Sequence, residues 1–269
     1  MVSSNQSLQR GLAILELLDE SGGPLGVRDI ARKMDISPTI VQRLVHALVE
    51  AQFAVQDTAT QKYAIGYRAV ALGRSMLSSD RLVGAALPEL RNLAERHHLN
   101  GYLSVIAGGE LTYVLAEQSA GPIAIKSKPG SKAAFHATAM GKALLAGRPR
   151  AEIDVLLGDA PLEPLTDNTV TDRATLFADL ARADEQGYAL AFGENLEGVN
   201  SVAARIRGAD ASAVAALSIA YAPSLQPSAL LPEVVRLVTD AAARVSTALG
   251  CPEDALDQIM PFLEPGDVA

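Results

Sequence analysis

The segment SPTIVQRLVHALVEA, residues 37–51, decides the fold of the first part of the chain. Ser37 is a favoured helix N-cap residue, and Pro38 suits the first helical position, where the backbone N–H has no partner inside the helix. Apolar residues then recur at the spacing of one helix face; they are Ile40, Leu44, Val45 and Leu48. The segment therefore predicts an amphipathic helix whose first turns carry polar residues on the other face.

Further patterns flank this segment on both sides. VRDIARKM, residues 27–34, predicts a short helix that meets the helix after Ser37 at a tight turn. In FAVQDTATQKYAIG, residues 53–66, apolar residues occupy every second position on both sides of a polar turn, which predicts a β-hairpin. A first helix, which ends at residues 21–24, is predicted by leucines at helical spacing, in a stripe that Ile14 and Leu17 widen: Leu8, Leu12, Leu15 and Leu18. A helix-turn-helix followed by a hairpin is the sequence form of a winged helix.

A winged helix predicts binding to double-stranded DNA, with the third helix in the major groove. The residues expected to contact DNA lie at the start of that helix: Ser37, Thr39, Gln42 and Arg43. Arg43 suits a guanine edge or a phosphate, and Gln42 suits adenine. A small helical domain that binds protein or only dimerises would show the same pattern, and Arg43 would then be an ordinary surface arginine.

Charge is distributed unevenly along the 269 residues. The net charge of −8 opposes nucleic-acid binding by the chain as a whole, because Lys and Arg drive phosphate binding. Residues 1–80, however, hold eight Lys or Arg and eight Asp or Glu, so the acidic excess lies in residues 81–269. A neutral first part can bind DNA if its basic residues share one face.

Composition is that of a soluble globular protein with one or two domains, at 49% hydrophobic and 20% charged residues. No apolar run reaches the roughly 20 residues of a membrane helix, so we expect no membrane partner. The N-terminus lacks a signal-peptide pattern, and the single cysteine, Cys251, has no internal disulfide partner. A cytoplasmic protein is therefore expected.

The rest of the chain predicts a helical linker and an α+β domain. Helical spacing runs through residues 67–77 and 80–98, with the domain boundary near Ser79. Helical stretches are also expected at residues 139–146, 150–157, 172–186 and 231–249. Six strand-like segments accompany them: GYLSVIA, ELTYVLAE, GPIAIKS, GYALAF, SVAARI and AVAALSIAY. Short connections between several of them favour an antiparallel sheet.

The segment FHATAMGKALLA, residues 135–146, raises the possibility of catalytic or phosphate-binding chemistry. His136 and Ala143 stand where a P-loop needs glycine and Ser or Thr, which excludes that type of phosphate site. The chain shows neither metal-ligand spacing of His and Cys nor a G-x-S-x-G nucleophile turn. We expect no catalytic residue, metal or cofactor; His136 is interpreted as a packed loop residue rather than a base, and Lys142 as a helix-surface cation.

From about residue 7 to residue 250, the chain resembles the IclR family of bacterial transcription regulators. The segments that carry the resemblance are SLQRGLAILELL, SPTIVQRLVHAL, KYAIGYRAVALG, HATAMGKALLA, GYALAFGENLEGVNSVAARI and AVAALSIAY. The resemblance implies a winged helix-turn-helix at residues 1–66, a linker helix at 67–79, a GAF-like effector-binding domain at 80–250 and a tail at 251–269. It also implies homodimers that can pair into tetramers, a pseudo-palindromic operator and a small-molecule effector.

The resemblance also implies an effector pocket, with Ala139 and Met140 on its floor and polar contacts from Ser201 and Ser218. The family commonly has cysteine at position 201, a second serine at 220 and carboxylates where Ala191 and Phe192 stand, so this pocket is expected to be more apolar.

The expected effector is a small organic acid, aldehyde or amide, with aromatic compounds among the candidates. Its polar end would lie at the helix start capped by Thr138 and near the two serines, and its body against Met140 and Phe192. Ordinary core packing is the alternative role for Met140, Phe192 and Ser218. For the whole domain, the alternatives are an enzyme or an oligomerisation domain that senses nothing.

Overall fold

The computed structural model describes residues 5–119, 125, 127–224 and 231–256. The chain divides into two compact units, Met1–Asp80 and Arg81–Ala269. In the described part of the chain, no helix combines the length and the apolar character needed to cross a membrane.

The first unit is a winged helix-turn-helix, as the sequence predicts. Its helices are α1 (Gln6–Glu20), α2 (Val27–Met34), α3 (Pro38–Glu50) and α4 (Tyr67–Ser79), and its hairpin consists of β1 (Ala54–Gln56) and β2 (Tyr63–Ile65). The Ser37 side chain accepts a hydrogen bond from the Ile40 N–H and so caps α3. Asp35, in the left-handed region at φ 53°, ends α2 and makes the tight turn between the two helices.

A small core holds this unit together. Its buried residues are Ile14, Leu18, Ile30, Ala31, Val41, Leu44, Val45, Ala54 and Tyr63. The predicted stripe of α1 is wrong in its first half, because Leu8 and Leu12 are 60% and 53% exposed. Its second half is confirmed, because Ile14 and Leu18 are buried and only the last two turns of α1 contribute to this core.

The second unit is built on one antiparallel sheet of six strands in the order β5-β4-β3-β8-β7-β6. The strands are β3 (Asn100–Ala107), β4 (Glu110–Glu117), β5 (Lys132–Ala133), β6 (Tyr188–Phe192), β7 (Asn200–Arg207) and β8 (Ala213–Tyr221). The helices are α5 (Arg81–Arg96), α6 (Ala139–Leu145), α7 (Arg150–Leu157), α8 (Arg173–Gln186), α9 (Leu231–Ala248) and α10 (Glu253–Leu256).

Alternation along the strands gives the sheet two different buried faces. Val202, Ala204 and Ile206 of β7 pack in one cluster with residues of α5 and α9. Ala203 of β7 and Ala216 of β8 face the other side and pack in a second cluster that includes α6. The result is a three-layer α+β domain, in agreement with the predicted fold class.

Two predicted segments are only partly described. Of GPIAIKS, residues 121–127, only Ile125 and Ser127 fall within the described residues, and residues 257–269 of the predicted tail lie outside them. The sequence did not predict the two-residue edge strand β5, which pairs Lys132 and Ala133 with Thr112 and Leu111 of β4.

Candidate functional site

A cavity of about 240 Å³ lies in the second unit, on the sheet face that carries α6. The sheet contributes Tyr102, Tyr113, Ala191, Ser201, Ser218 and Ala220, and the start of α6 contributes Thr138 and Met140. The remaining wall consists of loop residues, namely Ile125, Ser127, Asn195, Leu196 and Val199. The lining combines hydroxyl groups with apolar side chains, which suits a ligand with a polar end and an apolar body.

Tyr102 and Tyr113 form an edge-to-face aromatic pair with ring centroids 5.6 Å apart. The Tyr102 hydroxyl donates a hydrogen bond to the carbonyl of Ile125 at 2.5 Å. Burial raises the pKa of both phenols above their ordinary value of 10.0. Both rings are therefore neutral at physiological pH, and they offer the cavity aromatic surface rather than charge.

Ser218 supplies a polar group that no described residue satisfies. Its side chain is fully buried, and its Oγ has no hydrogen-bond partner among the described residues. It lies opposite Tyr102 across the β3–β8 pair and opposite Ala203 across the β7–β8 pair. A buried hydroxyl without a partner is costly, so this oxygen is available to a bound molecule.

Thr138 caps α6, as predicted, and its only hydroxyl proton is already donated within the chain. Its Oγ1 accepts a hydrogen bond from the Gly141 N–H at 3.1 Å and donates one to the Ala134 carbonyl at 2.7 Å. The Thr138 side chain therefore shapes the cavity wall without offering a further donor proton to a ligand.

Five residues were predicted to line the cavity. Met140, Ser201 and Ser218 do line it, whereas Ala139 and Phe192 do not. Ala139, the first residue of α6, is fully buried in the core on that side of the sheet. Phe192 is 42% exposed, because alternation along β6 turns its neighbour Ala191 to the cavity instead. Placing Phe192 against the body of an effector was therefore wrong.

The sequence did not single out the two cavity tyrosines or the loop residues Asn195, Leu196 and Val199. Alternation in GYLSVIA and ELTYVLAE predicts which residues share a face of each strand. It could have placed Tyr102 on the same face as Ser104. It does not give the order of the strands, which is what brings Tyr102, Tyr113 and Ser218 to one cavity.

The interpretation of Lys142 as a surface cation was wrong. This side chain is 2% exposed and lies 2.9 Å from Asp179 Oδ2 and 2.8 Å from the carboxylate of Glu194. The reason is that α6 is buried along its whole length, so no helix position is left for a solvated lysine. His136 is a buried loop residue, as expected, with Nε2 at 2.9 Å from the carbonyl oxygen of Glu163.

In the first unit, all four predicted DNA-contact residues lie exposed at the start of α3. The Ser37 hydroxyl is occupied as the cap of α3. Gln42 donates a side-chain hydrogen bond to the Tyr63 hydroxyl of β2 at 3.3 Å. Arg43 and Thr39 make no side-chain hydrogen bond or ion pair with any described residue, so both are available to a partner.

Within the described ranges, no group of three or more His, Cys, Asp and Glu side chains is arranged to hold a metal ion. The described lining of the cavity also carries no charged side chain. A ligand there would meet hydroxyl, amide and aromatic groups.

Comparison with known proteins gives two matching family models. The model described as the bacterial transcriptional regulator IclR C-terminal domain matches residues 74–247, and the IclR helix-turn-helix domain matches residues 7–58. Both parts of the chain thus match the same family.

Individual relatives agree with these models. The HTH-type transcriptional regulator BhcR of Paracoccus denitrificans is 32% identical over 251 residues, which cover 93% of this chain and 89% of the relative. A crystal structure of a transcriptional regulator from Rhodococcus sp. RHA1 is 29% identical, with a TM-score of 0.78 over 91% of this chain and 98% of that one.

A third relative shows the fold alone. It is an IclR homologue from Microbacterium hydrocarbonoxydans, solved in complex with 4-hydroxybenzoate, which is 23% identical with a TM-score of 0.76 and covers 91% of this chain and 99% of that one. The chain belongs to the IclR family, and it is a DNA-binding transcriptional regulator with a ligand-binding C-terminal domain rather than an enzyme.

Proposed function

We propose that this regulator responds to a small organic acid, aldehyde or amide, aromatic or aliphatic, which binds in the cavity between the sheet and α6. The buried, unpartnered Ser218 hydroxyl carries the proposal, because it is the kind of group that a ligand's polar end satisfies. Ser201 and the start of α6 would hold the same end of the ligand, and Met140 would contact its body.

The size and lining of the cavity favour a small effector. At about 240 Å³, the cavity is smaller than the roughly 300–1,000 Å³ of pockets for drug-sized ligands. The Tyr102–Tyr113 pair offers edges and faces that suit an aromatic ring. The Microbacterium homologue was solved with an aromatic acid, which is compatible with this class, although the proposal rests on the cavity of this chain.

We also propose that Arg43 and Thr39 contact the operator, with Gln42 and Ser37 at the edge of the contact surface. Arg43 and Thr39 are exposed on the first turns of α3, and their side chains form no hydrogen bond or ion pair with the described residues, which leaves both free to bind DNA. A guanidinium at this position can bind a guanine edge or a phosphate.

A symmetric homodimer would place two such helices on a pseudo-palindromic operator. Apolar side chains on two helices of the first unit are left exposed in the single chain, and a second copy would cover them; they are Leu8 and Leu12 of α1 and Tyr67, Val70 and Leu72 of α4. We propose that dimers can pair further into tetramers.

We propose that the chain acts in the cytoplasm, where its operator lies. The DNA-binding domain would comprise residues 1–66 and the linker helix residues 67–79. The effector domain would comprise residues 80–250 and the tail residues 251–269. Effector binding would shift the population of DNA-competent dimers through the linker helix.

A thermal-shift screen of the full chain tests the effector class. The panel holds aromatic and aliphatic acids, aldehydes and amides, and a compound at 100 times its Kd should stabilise the protein by about 2.7 kcal/mol. Ala220→Leu, which fills part of the cavity, should abolish the shift.

A compound that passes this test should also change the gel-shift affinity for an operator selected from random DNA. If no compound of these classes raises the melting temperature, the effector class is wrong. DNA binding that no compound changes would favour a C-terminal domain that only oligomerises.

A further inference from the structure

We propose that Lys142 is a positioning residue, which fixes the loop formed by residues 193–199 as one wall of the cavity. Any effect of Lys142 on effector affinity rests on the function proposed above. The effect of Lys142 on the loop does not rest on that function, because every contact involved is present in the chain itself.

The buried Lys142 ammonium group joins three separate parts of the second unit. It donates hydrogen bonds to Asp179 of α8 at 2.9 Å and to Glu194, at the base of the loop, at 2.8 Å. The Glu194 side chain is 10% exposed and the Asp179 side chain 25% exposed, so water screens these charges only partly. The cluster thus ties α6, α8 and the loop to one point.

Stability alone is a weak reason for such a cluster. Burying charged groups removes their hydration, and a well-packed apolar replacement is often as stable or more stable. Charged hydrogen bonds, by contrast, demand a defined direction and distance. Since α6 is already buried along its length, the cluster adds a fixed position for Glu194 more than it adds packing.

The loop that follows Glu194 supplies three residues of the cavity wall, Asn195, Leu196 and Val199. The Gly193 N–H donates to the Val199 carbonyl at 2.9 Å, which closes the loop at its base. The hydroxyl of Thr169 donates to the Glu194 carbonyl at 2.6 Å. Lys142 adds the side-chain anchor to these backbone anchors.

The same helix also shapes another part of the cavity wall. Met140 lines the cavity, and Lys142 follows it two residues later on α6. A displacement of α6 would therefore move a cavity residue and the loop anchor together. Through this arrangement Lys142 sets the spacing between two walls of the cavity.

Amide hydrogen exchange of the ligand-free full chain tests this role. We expect Lys142→Met to speed exchange in residues 193–199 by about tenfold, because a local anchor is lost. Exchange in α5 and α9, on the other side of the sheet, should stay within about twofold of the wild type. Glu194→Met removes the same anchor from the loop side and should give the same local effect, whether or not Lys142→Met folds.

Arg205→Met is the matched control. Arg205 is 5% exposed, and it bonds Asp184 at 2.6 Å and the Ala146 carbonyl at 3.0 Å, without a bond to the loop. Relative to the wild type, Arg205→Met should accelerate exchange in residues 193–199 no more than in the rest of the second unit. Unchanged loop exchange in Glu194→Met, or equal acceleration in Arg205→Met, would overturn the proposal. Because no ligand is used, that failure is distinct from a negative effector screen.

Discussion

The side-chain amide of Gln42 on α3 lies 3.3 Å from the hydroxyl of Tyr63 on β2, and so it joins the helix predicted to read DNA to the wing. Tyr63 is 3% exposed, with its ring in the core of the first unit. This bond fixes the orientation of Gln42, whereas the adjacent Arg43 remains without a described partner.

Tyr63→Phe should lower the free energy of unfolding of the first unit by about 0.5–1.5 kcal/mol, because it removes the hydroxyl and leaves Gln42 without its partner. Urea denaturation would measure the change. Thr58→Ala is the control, since this exposed hydroxyl makes no hydrogen bond to a described residue and its loss should have little effect. Equal stability of Tyr63→Phe and the wild type would mean that the bond contributes nothing in solution.

Arg43→Ala should weaken operator binding by about 1–3 kcal/mol if the guanidinium contacts guanine. Gel-shift titration at fixed salt would measure this affinity. Arg236→Ala, which removes an exposed arginine of α9 in the other unit, is the control and should bind as the wild type does. Wild-type affinity of Arg43→Ala would remove this residue from the proposed interface.

The DNA-binding unit was predictable because its signals are local. Ser37 and Pro38 specify the start of α3, and the polar turn between Phe53 and Tyr63 specifies the hairpin. Each of these signals lies within a few residues of the structure that it determines, so their interpretation required no tertiary information.

The cavity was predictable only in part, because it depends on contacts between distant residues. Lysines are almost never fully buried without a partner, and the partners of Lys142 lie 37 and 52 residues further along the chain. Likewise, Tyr102 meets Ser218 only because β3 pairs with β8. Local patterns give the faces of each strand but not which strands are neighbours.

Ser218→Ala should stabilise the ligand-free protein by about 1 kcal/mol, because it removes a buried hydroxyl that has no described partner. Ser246→Ala is the matched control. That hydroxyl is equally buried, but it donates to the Ala242 carbonyl at 2.7 Å and accepts from the Arg207 N–H at 2.9 Å. Its loss should therefore destabilise the protein by about 1–3 kcal/mol. Urea unfolding that shows the same loss for both variants would contradict a free Ser218 hydroxyl.

Asp172→Ala should destabilise the protein at neutral pH, and the difference from the wild type should shrink in acid. Hydrogen bonds from the Thr175 side chain and backbone hold the pKa of Asp172 below its ordinary value of 3.8. A lowered pKa in the folded state stabilises the protein above the unfolded pKa, and this contribution is lost as the pH falls through the folded pKa.

Denaturation curves recorded from neutral pH down to below 3.8 would show this convergence. Asp172→Asn keeps an acceptor at the N-cap of α8 but does not titrate, so it serves as the control. A gap between wild type and Asp172→Ala that stays constant across this range would show that the carboxylate charge is not involved.

Gly141→Ala should be destabilising, because α6 passes directly over the chain at Phe135. An added Cβ would lie 2.4 Å from the Phe135 carbonyl oxygen and 2.5 Å from its Cα, and backbone atoms cannot yield as a flexible side chain can. We expect a loss of about 1–3 kcal/mol in the free energy of unfolding, measured with urea. Gly73→Ala, in the exposed helix α4 with no atom within 4 Å of the new Cβ, should instead stabilise the protein by about 0.5–1 kcal/mol. If Gly141→Ala were also stabilising, α6 could move away from Phe135 at little cost. The wall that carries Met140 and the anchor at Lys142 would then be less rigidly placed than this close contact requires.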